Sequence, residues 1–325
     1  MASQHPSHAL PDGYQLHDYT IDRALSAGGF SIVYLAHDQA GTPYAIKEYL
    51  PGTLVTRQQD FALHVQVPAT VNISSFHHGL KSFFEEVRTL AKIVHPNVVR
   101  VVDFFRANET VYMVMHYEQG RTLQDIIQAH KHGALKEDFI RRVFIELLNG
   151  LREVHTHKLL HLDIKPSNIY LRLDNSPLLI DFGAARRTLT GENASLTPMY
   201  TPGFAAPEQY GGDVPLGPWT DIYAVGASIF ACLCGYAPQA ANLRLEEDNQ
   251  APAKKIWGGK YSDRLLEIID WCLHLDHLER PQSVFALQKA LREHIAPPDL
   301  DKPGKSGKPS MIDGMRAALR KVTNK

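Results

Sequence analysis

The hydrophobic period of this chain changes once, near Gly120, and that change restricts it to a sheet-rich part followed by a helical part. From Tyr14 to Tyr117 the apolar residues come in short β-branched and aromatic runs, "IVYLAHD", "YAIKEYL", "VVRVVDFF" and "VYMVMHY", with turn residues between them. One helical pattern interrupts the runs: Phe83, Val87, Leu90, Ile93 and Val94 recur at helical spacing, and Pro96 marks its end. Beyond Gly120 stand "TLQDIIQAHK", "KEDFIRRVFIELLNGLREVHTH", "WTDIYAVGASIFACLCG" and "DRLLEIIDWCLHL", longer than strands and spaced like helices. Two short segments, "NIYLRL" and "PLLIDFG", suit a β-hairpin at the start of the helical half. The fold class expected is α+β and bilobal, with a small β-rich lobe carrying one main helix (residues 14–117) and a larger helical lobe (residues 118–295).

The flanks read differently. Residues 1–13 are rich in His, Pro and Ser and end at the turn-forming "PDG", so they are expected to be a flexible leader. Residues 296–310, "APPDLDKPGKSGKPS", have linker composition. Residues 311–325 form a basic amphipathic tail, with Ile312, Met315, Leu319 and Val322 on one helical face and Arg316, Arg320 and Lys321 elsewhere. Contact with a membrane surface is one use of such a tail; a marginal terminal helix is the other.

Composition narrows the function classes. With 34 basic and 35 acidic residues the formal charge is -1, so nothing global draws the chain to nucleic acid, and any phosphate site must be local. Three cysteines without a C-x-x-C pair, and a start with no apolar secretory core, lead to the expectation of a reduced, cytoplasmic setting. "DIYAVGASIFACLC" is too short to cross a bilayer and reads as a buried helix. No period of 20 to 50 residues marks a repeat fold.

The stretch that carries chemistry is "HLDIKPSN", residues 161–168. Phosphoryl transfer needs cations for the phosphates, a divalent metal on oxygen ligands and a group that orients the attacking hydroxyl. Asp163 can take the hydroxyl proton, Lys165 can neutralise the moving phosphoryl, and Asn168 can offer an amide oxygen to Mg²⁺. Asp181, in "DFG" after an apolar strand, adds a carboxylate for metal; alone, such a triplet is more often a strand-end turn. Lys47, in the strand pattern "YAIKEYL", has a carboxylate partner available in Glu86 on the helix "FFEEVRTLAKIV", with Glu85 as the exposed neighbour. The turn "SAGGFSIVY" is the candidate phosphate cover, offering backbone N–H groups at Gly28 and Gly29.

In order, "SAGGFSIVY", "YAIK", "FFEEVRTL", "HPNVV", "HLDIKPSN", "DFG", "TPGFAAPEQY", "DIYAVG" and "ERPQS" resemble the signature series of the eukaryotic-like protein kinases, over roughly residues 17–293. The wording of "AIKEYLP", "LHLDIKPSN" and "PGFAAPEQY" resembles bacterial members most. The resemblance implies a bilobal protein-kinase-like fold, ATP with Mg²⁺ or Mn²⁺ as cofactors, protein substrates, and transfer of the γ-phosphoryl to Ser or Thr hydroxyls, the chain itself included. A pseudokinase scaffold is the alternative it leaves.

Residue by residue, the resemblance makes Lys47 the phosphate-positioning lysine with Glu86 as its partner, Asp163 the base or orienter, Lys165 the transition-state lysine, and Asn168 and Asp181 the metal ligands. Ala27, Gly28 and Gly29 would cover the phosphates, Val33 and Ala45 would pack on the adenine faces, and Met115 would gate the pocket. Backbone groups of His116 and Glu118 would hold the adenine edge. Asp221 would anchor the catalytic loop, Glu208 and Arg280 would form a structural ion pair, and Leu90, His161 and Phe182 would stack in a column. Lys165 two positions after Asp163, together with Thr201, points to Ser/Thr specificity.

Three departures from the pattern carry expectations of their own. Ser26 and Ser31 stand where outer glycines are usual, which is expected to restrict the turn over the phosphates. The interval from Lys47 to Glu86 is about twice the common one; its insertion contains an alternating "LHVQV" and is either a plain surface insertion or a docking element that sets the position of the Glu86 helix. Leu162 replaces the arginine of the usual His-Arg-Asp triplet, making this a non-RD sequence, so phosphate on Thr188, Thr190, Ser195 or Thr197 is not expected to be required for catalysis.

Overall fold

A computed structural model of the chain describes residues 8–57, 65–68, 73–130, 134–182, 186–187, 200–211 and 214–293. The first half forms a six-stranded sheet from β1 (Gln15–Leu16), β2 (Tyr19–Ala27), β3 (Ser31–Asp38) and β4 (Pro43–Tyr49), closed by a later hairpin. A two-residue pair follows, β5 (Thr56–Arg57) and β6 (Val65–Gln66), then helix α1 (Ile73–Leu90) and the hairpin β7 (Val101–Ala107) and β8 (Thr110–His116). The antiparallel order is β1-β2-β3-β4-β8-β7. Strand β3 shows why: Ile32, Tyr34 and Ala36 are buried while their neighbours are half-buried, the period-2 signature of a sheet with one face on a core.

The second half opens with β9 (Gly120–Thr122) and α2 (Leu123–Ala129), whose start is closed by a capping box between Thr122 and Asp125. Helix α3 (Glu137–Thr156) leads to β10 (Leu159–Leu160), the hairpin β11 (Ile169–Arg172) and β12 (Pro177–Leu179), and β13 (Arg186–Arg187), which pairs with β10. The hairpin read from "NIYLRL" and "PLLIDFG" is present, with β9 added on the β11 edge. Helices α4 (Pro218–Cys234), α5 (Ala241–Glu246), α6 (Ala253–Trp257), α7 (Asp263–Cys272) and α8 (Val284–Arg292) complete the lobe.

Helix α4 is apolar all round because it is buried all round, from Thr220 to Leu233. Gly226 lets α7 approach: a Cβ there would lie 2.3 Å from the Cys272 Cβ. Among the described residues no helix is long and apolar enough to cross a membrane.

Three expectations change. The leader is not flexible throughout, because Ala9 and Leu10 are buried, the Leu10 N–H donates to the Tyr34 hydroxyl (3.1 Å), and the Gly13 N–H donates to the Ile21 carbonyl (2.7 Å). Residues 1–7, the linker and the tail lie outside the described residues. Helix α1 begins well before the "FFEEVRTL" pattern and ends at Leu90; Ile93 is buried beyond it, but Val94 is 71% exposed and belongs to no helical face. In "LHVQV" the described strand residues are Val65 and Gln66, Leu63 and His64 lying outside the described residues, and the Val65 N–H donates to the Asn108 carbonyl (2.9 Å).

The lower lobe is pinned by one buried ion pair. Arg280 donates to both Glu208 oxygens (2.8 and 3.0 Å) and also to the carbonyls of His274, Leu275 and Trp219. Thr220 Oγ1 adds a third donor to Glu208 (2.8 Å). Arg280→Ala would strand a buried carboxylate, and the expected loss is about 3–5 kcal/mol of unfolding free energy, read from the urea midpoint and slope.

Candidate active site

The loop after β10 is built around a buried carboxylate. Asp221, at the start of α4, accepts from the N–H groups of His161 (2.9 Å) and Leu162 (2.8 Å), and its Oδ2 is hydrogen-bonded to His155 Nε2 (2.8 Å). Burial by itself would raise the Asp221 pKa, but the His155 hydrogen bond and the two imidazoles outweigh it and hold the group below the usual range. Leu162 takes a left-handed backbone (φ +62°), which costs a non-glycine residue roughly 1–2 kcal/mol. It is clamped from both sides, with its N–H on Asp221 and its carbonyl accepting from Gln209 Nε2 (2.8 Å). Its side chain is buried, so this position presents apolar surface where a cation would be usual.

The strained turn delivers Asp163. Asp163 Oδ1 accepts from Thr201 Oγ1 (2.8 Å), and Oδ2 accepts from Lys165 Nζ (2.8 Å) and from Asn168 Nδ2 (2.9 Å). Lys165 also donates to Thr201 Oγ1 (2.8 Å), so acid, amine and hydroxyl close a triangle. Asn168 Nδ2 is further fixed by the Asp163 carbonyl (2.9 Å), which orients the amide and turns its Oδ1 away from the acid.

Asp181 follows β12, also in a left-handed backbone (φ +60°), and forms an ion pair with Lys47. The neighbouring Phe182 is buried with its ring centroid 4.4 Å from that of His161, and Leu90 is buried as well, so the expected column has its three members in the core. Burial lowers the His161 pKa against the pull of Asp221, Asp163 and Asp181. The His161 Nδ1 accepts from the Asp163 N–H (3.3 Å), and its Nε2 lies 3.2 Å from the Ile180 carbonyl oxygen.

The expected partner of Lys47 is a correction. Lys47 pairs with Asp181, and among the described residues no ion pair joins it to Glu86. Glu86 is close enough to feel both charges, and its carboxyl is pushed well above the usual range, by burial first and by Asp181 second, against the opposing pull of Lys47. A nearly buried ammonium takes the carboxylate that reaches it, and here that is the metal-ligand candidate.

Strand register assembles the proposed adenine slot. Val33 pairs with Lys47, and Ala45 pairs with Met115, so these four side chains share one face of the sheet. The His116 N–H donates to the Arg100 carbonyl (3.1 Å), whereas the Glu118 N–H has no protein acceptor among the described residues. Glu118 is held by Arg172 (3.0 Å) and by the Tyr170 hydroxyl on its carbonyl (3.2 Å), which fixes this connection.

The glycine turn differs from expectation in two respects. The Gly28 N–H is not offered to a ligand but closes the turn on the Ser31 carbonyl (2.8 Å). Ser26 lies within β2 and Ser31 within β3, opposite Val33 and Tyr49, so their Cβ atoms sit on extended backbone and do not strain the turn.

Sequence reasoning missed one cluster beside this site. Glu48 is fully buried and paired with Arg57, and it accepts from the hydroxyls of Tyr34 (2.7 Å) and Tyr112 (2.6 Å). The signal was parity. Glu48 alternates with Ile46 and Leu50, the core-facing set of β4 and its extension, and an acid on a core face requires a cation from elsewhere.

Comparison with known proteins agrees with this geometry. The family described as Protein kinase domain matches residues 19–292. Serine/threonine protein kinase OSK3 of Oryza sativa subsp. indica is 29% identical over 250 residues, and OSK4 of the same plant matches equally; each alignment covers 76% of this chain. The chain spans 43% of the length of these relatives. The solved structure of PpkA-294 in its apo form superposes with a TM-score of 0.77 at 35% identity, covering 88% of this chain and 100% of that one. The bilobal α+β architecture, the residues gathered around Asp163 and the match over residues 19–292 have one reading: the chain belongs to the protein kinase family.

Proposed function

We propose that this chain is a protein serine/threonine kinase that transfers the γ-phosphoryl of ATP to Ser and Thr hydroxyls, on itself and on partner proteins. The observation that carries the reading is the triangle of Asp163, Lys165 and Thr201, each side a hydrogen bond or ion pair of 2.8 Å. A hydroxyl seated between Asp163 and Lys165 already has the place that an acceptor hydroxyl needs, with a carboxylate to take its proton and an ammonium to meet the charge of the arriving phosphoryl. The rice relatives are likewise serine/threonine protein kinases.

The donor set fits Mg²⁺ or Mn²⁺. Asn168 Oδ1 and the Asp181 carboxylate are hard oxygens, Asn168 has its amide nitrogen fixed elsewhere, and the Asp181 side chain remains 45% exposed. A divalent ion held there would neutralise charge on the phosphates. The protein's own part is to orient the acceptor with Asp163, to screen it with Lys165, to hold phosphate oxygens with Lys47, and to grip the nucleotide base between Val33 and Ala45 at the Met115–Glu118 connection.

A cytoplasmic setting and a bacterial type belong to the same proposal. The first is supported by two buried free thiols, Cys232 and Cys272, the second by the "AIKEYLP" wording. Incubated with ATP and Mg²⁺, the pure chain should gain phosphate mass, while Lys47→Met and Asp181→Asn should gain none and Asp163→Asn should slow transfer by roughly 10²–10⁴-fold. No gain in the wild type, on itself or on casein, would favour a scaffold.

Phosphate on the activation segment is not required in this reading, because the Leu162 side chain is buried apolar surface with no charge to pair with it. Thr188, Thr190, Ser195 and Thr197 lie outside the described residues. A variant with all four changed to Ala should keep its turnover within a few-fold, and loss of most activity in a folded variant would contradict this.

Glu86 separates stability from activity. Its folded pKa is raised, so the penalty for its charge is fully present above that raised value and vanishes below the ordinary carboxylate range. Glu86→Gln should therefore raise the thermal midpoint at neutral pH, with the gain shrinking as pH falls towards 4, while phosphoryl transfer drops because Lys47 loses its alternative partner.

A further inference from the structure

The insertion between Lys47 and Glu86 does more than occupy surface. Past the last register pair of β3 and β4, Ser31 with Tyr49, the chain keeps bonding to the glycine turn: the Leu50 N–H donates to the Phe30 carbonyl (2.8 Å) and the Gly52 N–H to the Gly29 carbonyl (2.9 Å). The turn over the phosphates is thus tied down by residues that follow the catalytic strand. Neither Gly28 nor Gly29 has the left-handed backbone that glycine alone tolerates, and a Cβ on Gly29 would meet nothing within 4 Å. These ties define the turn, rather than glycine freedom.

Glu48 is the other half of the brace. It follows Lys47 directly, so the two side chains point to opposite faces of β4, one to the cleft and one into the core. The insertion returns through β5 to place Arg57 on Glu48, with Nη1 3.1 Å from Oε2 and a second contact from Nη2 to Oε1. Arg57 Nη1 also donates to the His8 carbonyl (2.7 Å), and Tyr34, which donates to Glu48, accepts from Leu10. Tyr112, the other hydroxyl on Glu48, accepts from Asn108 Nδ2 (3.0 Å), and Asn108 supplies the carbonyl that receives Val65 of β6. Burial, then the Glu48 charge, pushes both tyrosine hydroxyls up, which keeps them as donors. Three segments, β3, β5 and β8, therefore meet on one carboxylate back to back with Lys47, and residues 8–10 brace two of them from behind.

We propose that Glu48 and Arg57 are positioning residues for ATP: the insertion, locked to the sheet by this pair, holds the strand of Lys47 and the glycine turn in register over the nucleotide. The ties from Leu50, Gly52, Arg57 and Val65 run to the catalytic lobe itself. The inference rests on the kinase reading for its meaning, but not for its readout.

The test separates positioning from plain stability. Arg57→Met leaves Glu48 charged and without its cation, while Glu48→Gln combined with Arg57→Met removes both charges at similar volume and keeps a polar amide facing the Tyr34 and Tyr112 hydroxyls. Each full-length variant is titrated with a fluorescent ATP analogue and Mg²⁺, and is assayed for KM of ATP and KM of casein. The double variant should recover the thermal midpoint of the wild type yet keep an ATP dissociation constant and ATP KM raised roughly tenfold, with casein KM unchanged. A double variant with wild-type ATP affinity would overturn the proposal, as would ATP and casein KM values rising together. If the wild type binds the analogue but transfers no phosphate, the kinase reading fails and the binding arm still decides the positioning role.

Discussion

The Asp221 carboxylate is the fixed point on which the site depends. It is buried, it accepts two successive backbone N–H groups and it is hydrogen-bonded to His155. Two N–H groups aimed at one carboxylate force the chain through a left-handed turn at Leu162, a conformation with a cost that only a strong acceptor at its centre sustains. Asp163 leaves that turn pointing at Thr201 and Lys165, and His161 leaves it pointing into the core against Phe182. The reactive and structural faces of the loop are thus set by one interaction.

The same logic recurs wherever this chain buries charge. Glu208 with Arg280 ties the segment before α4 to the end of the helical lobe, and Glu48 with Arg57 ties the insertion to the sheet. Each pair is completed by neutral donors, Thr220 in one case and two tyrosines in the other, so few lone pairs are left to desolvation. A pair of this kind adds little to net stability compared with apolar packing. Its effect lies in geometry, since a misplaced partner leaves an exposed cost of several kcal/mol, and both pairs sit directly behind elements that must hold a shape.

The fold class was legible because period and length differ so clearly between "VYMVMHY" and "KEDFIRRVFIELLNGLREVHTH". Asp163, Lys165 and Asn168 were legible because they fall within one short loop, where sequence distance bounds spatial distance. Thr201 and Asp221 needed the resemblance, since nothing local places residues so far along the chain against Asp163 in the one case and the His161–Leu162 backbone in the other. The Lys47 pairing was misread because it depends on which of two carboxylates reaches a shared ammonium, a matter of helix position rather than residue type. Leu10 was lost among polar neighbours: one fully buried side chain turns a segment of loop composition into a docked strap. Glu48 was open to a parity argument and Arg57 was not, because the insertion has no period to count from.

Lys47 ties these strands together, because it is a scarce charge in a crowded place. It is only 5% exposed, and two carboxylates, Asp181 and Glu86, lie within its influence. In the arrangement described, Asp181 holds it, and Glu86 feels its charge with no ion pair to it among the described residues. The carboxyls of Glu86 and Asp181 thus compete for one ammonium, and the attachment of its strand through Glu48 to Arg57, Tyr34 and Tyr112 fixes where that ammonium can reach.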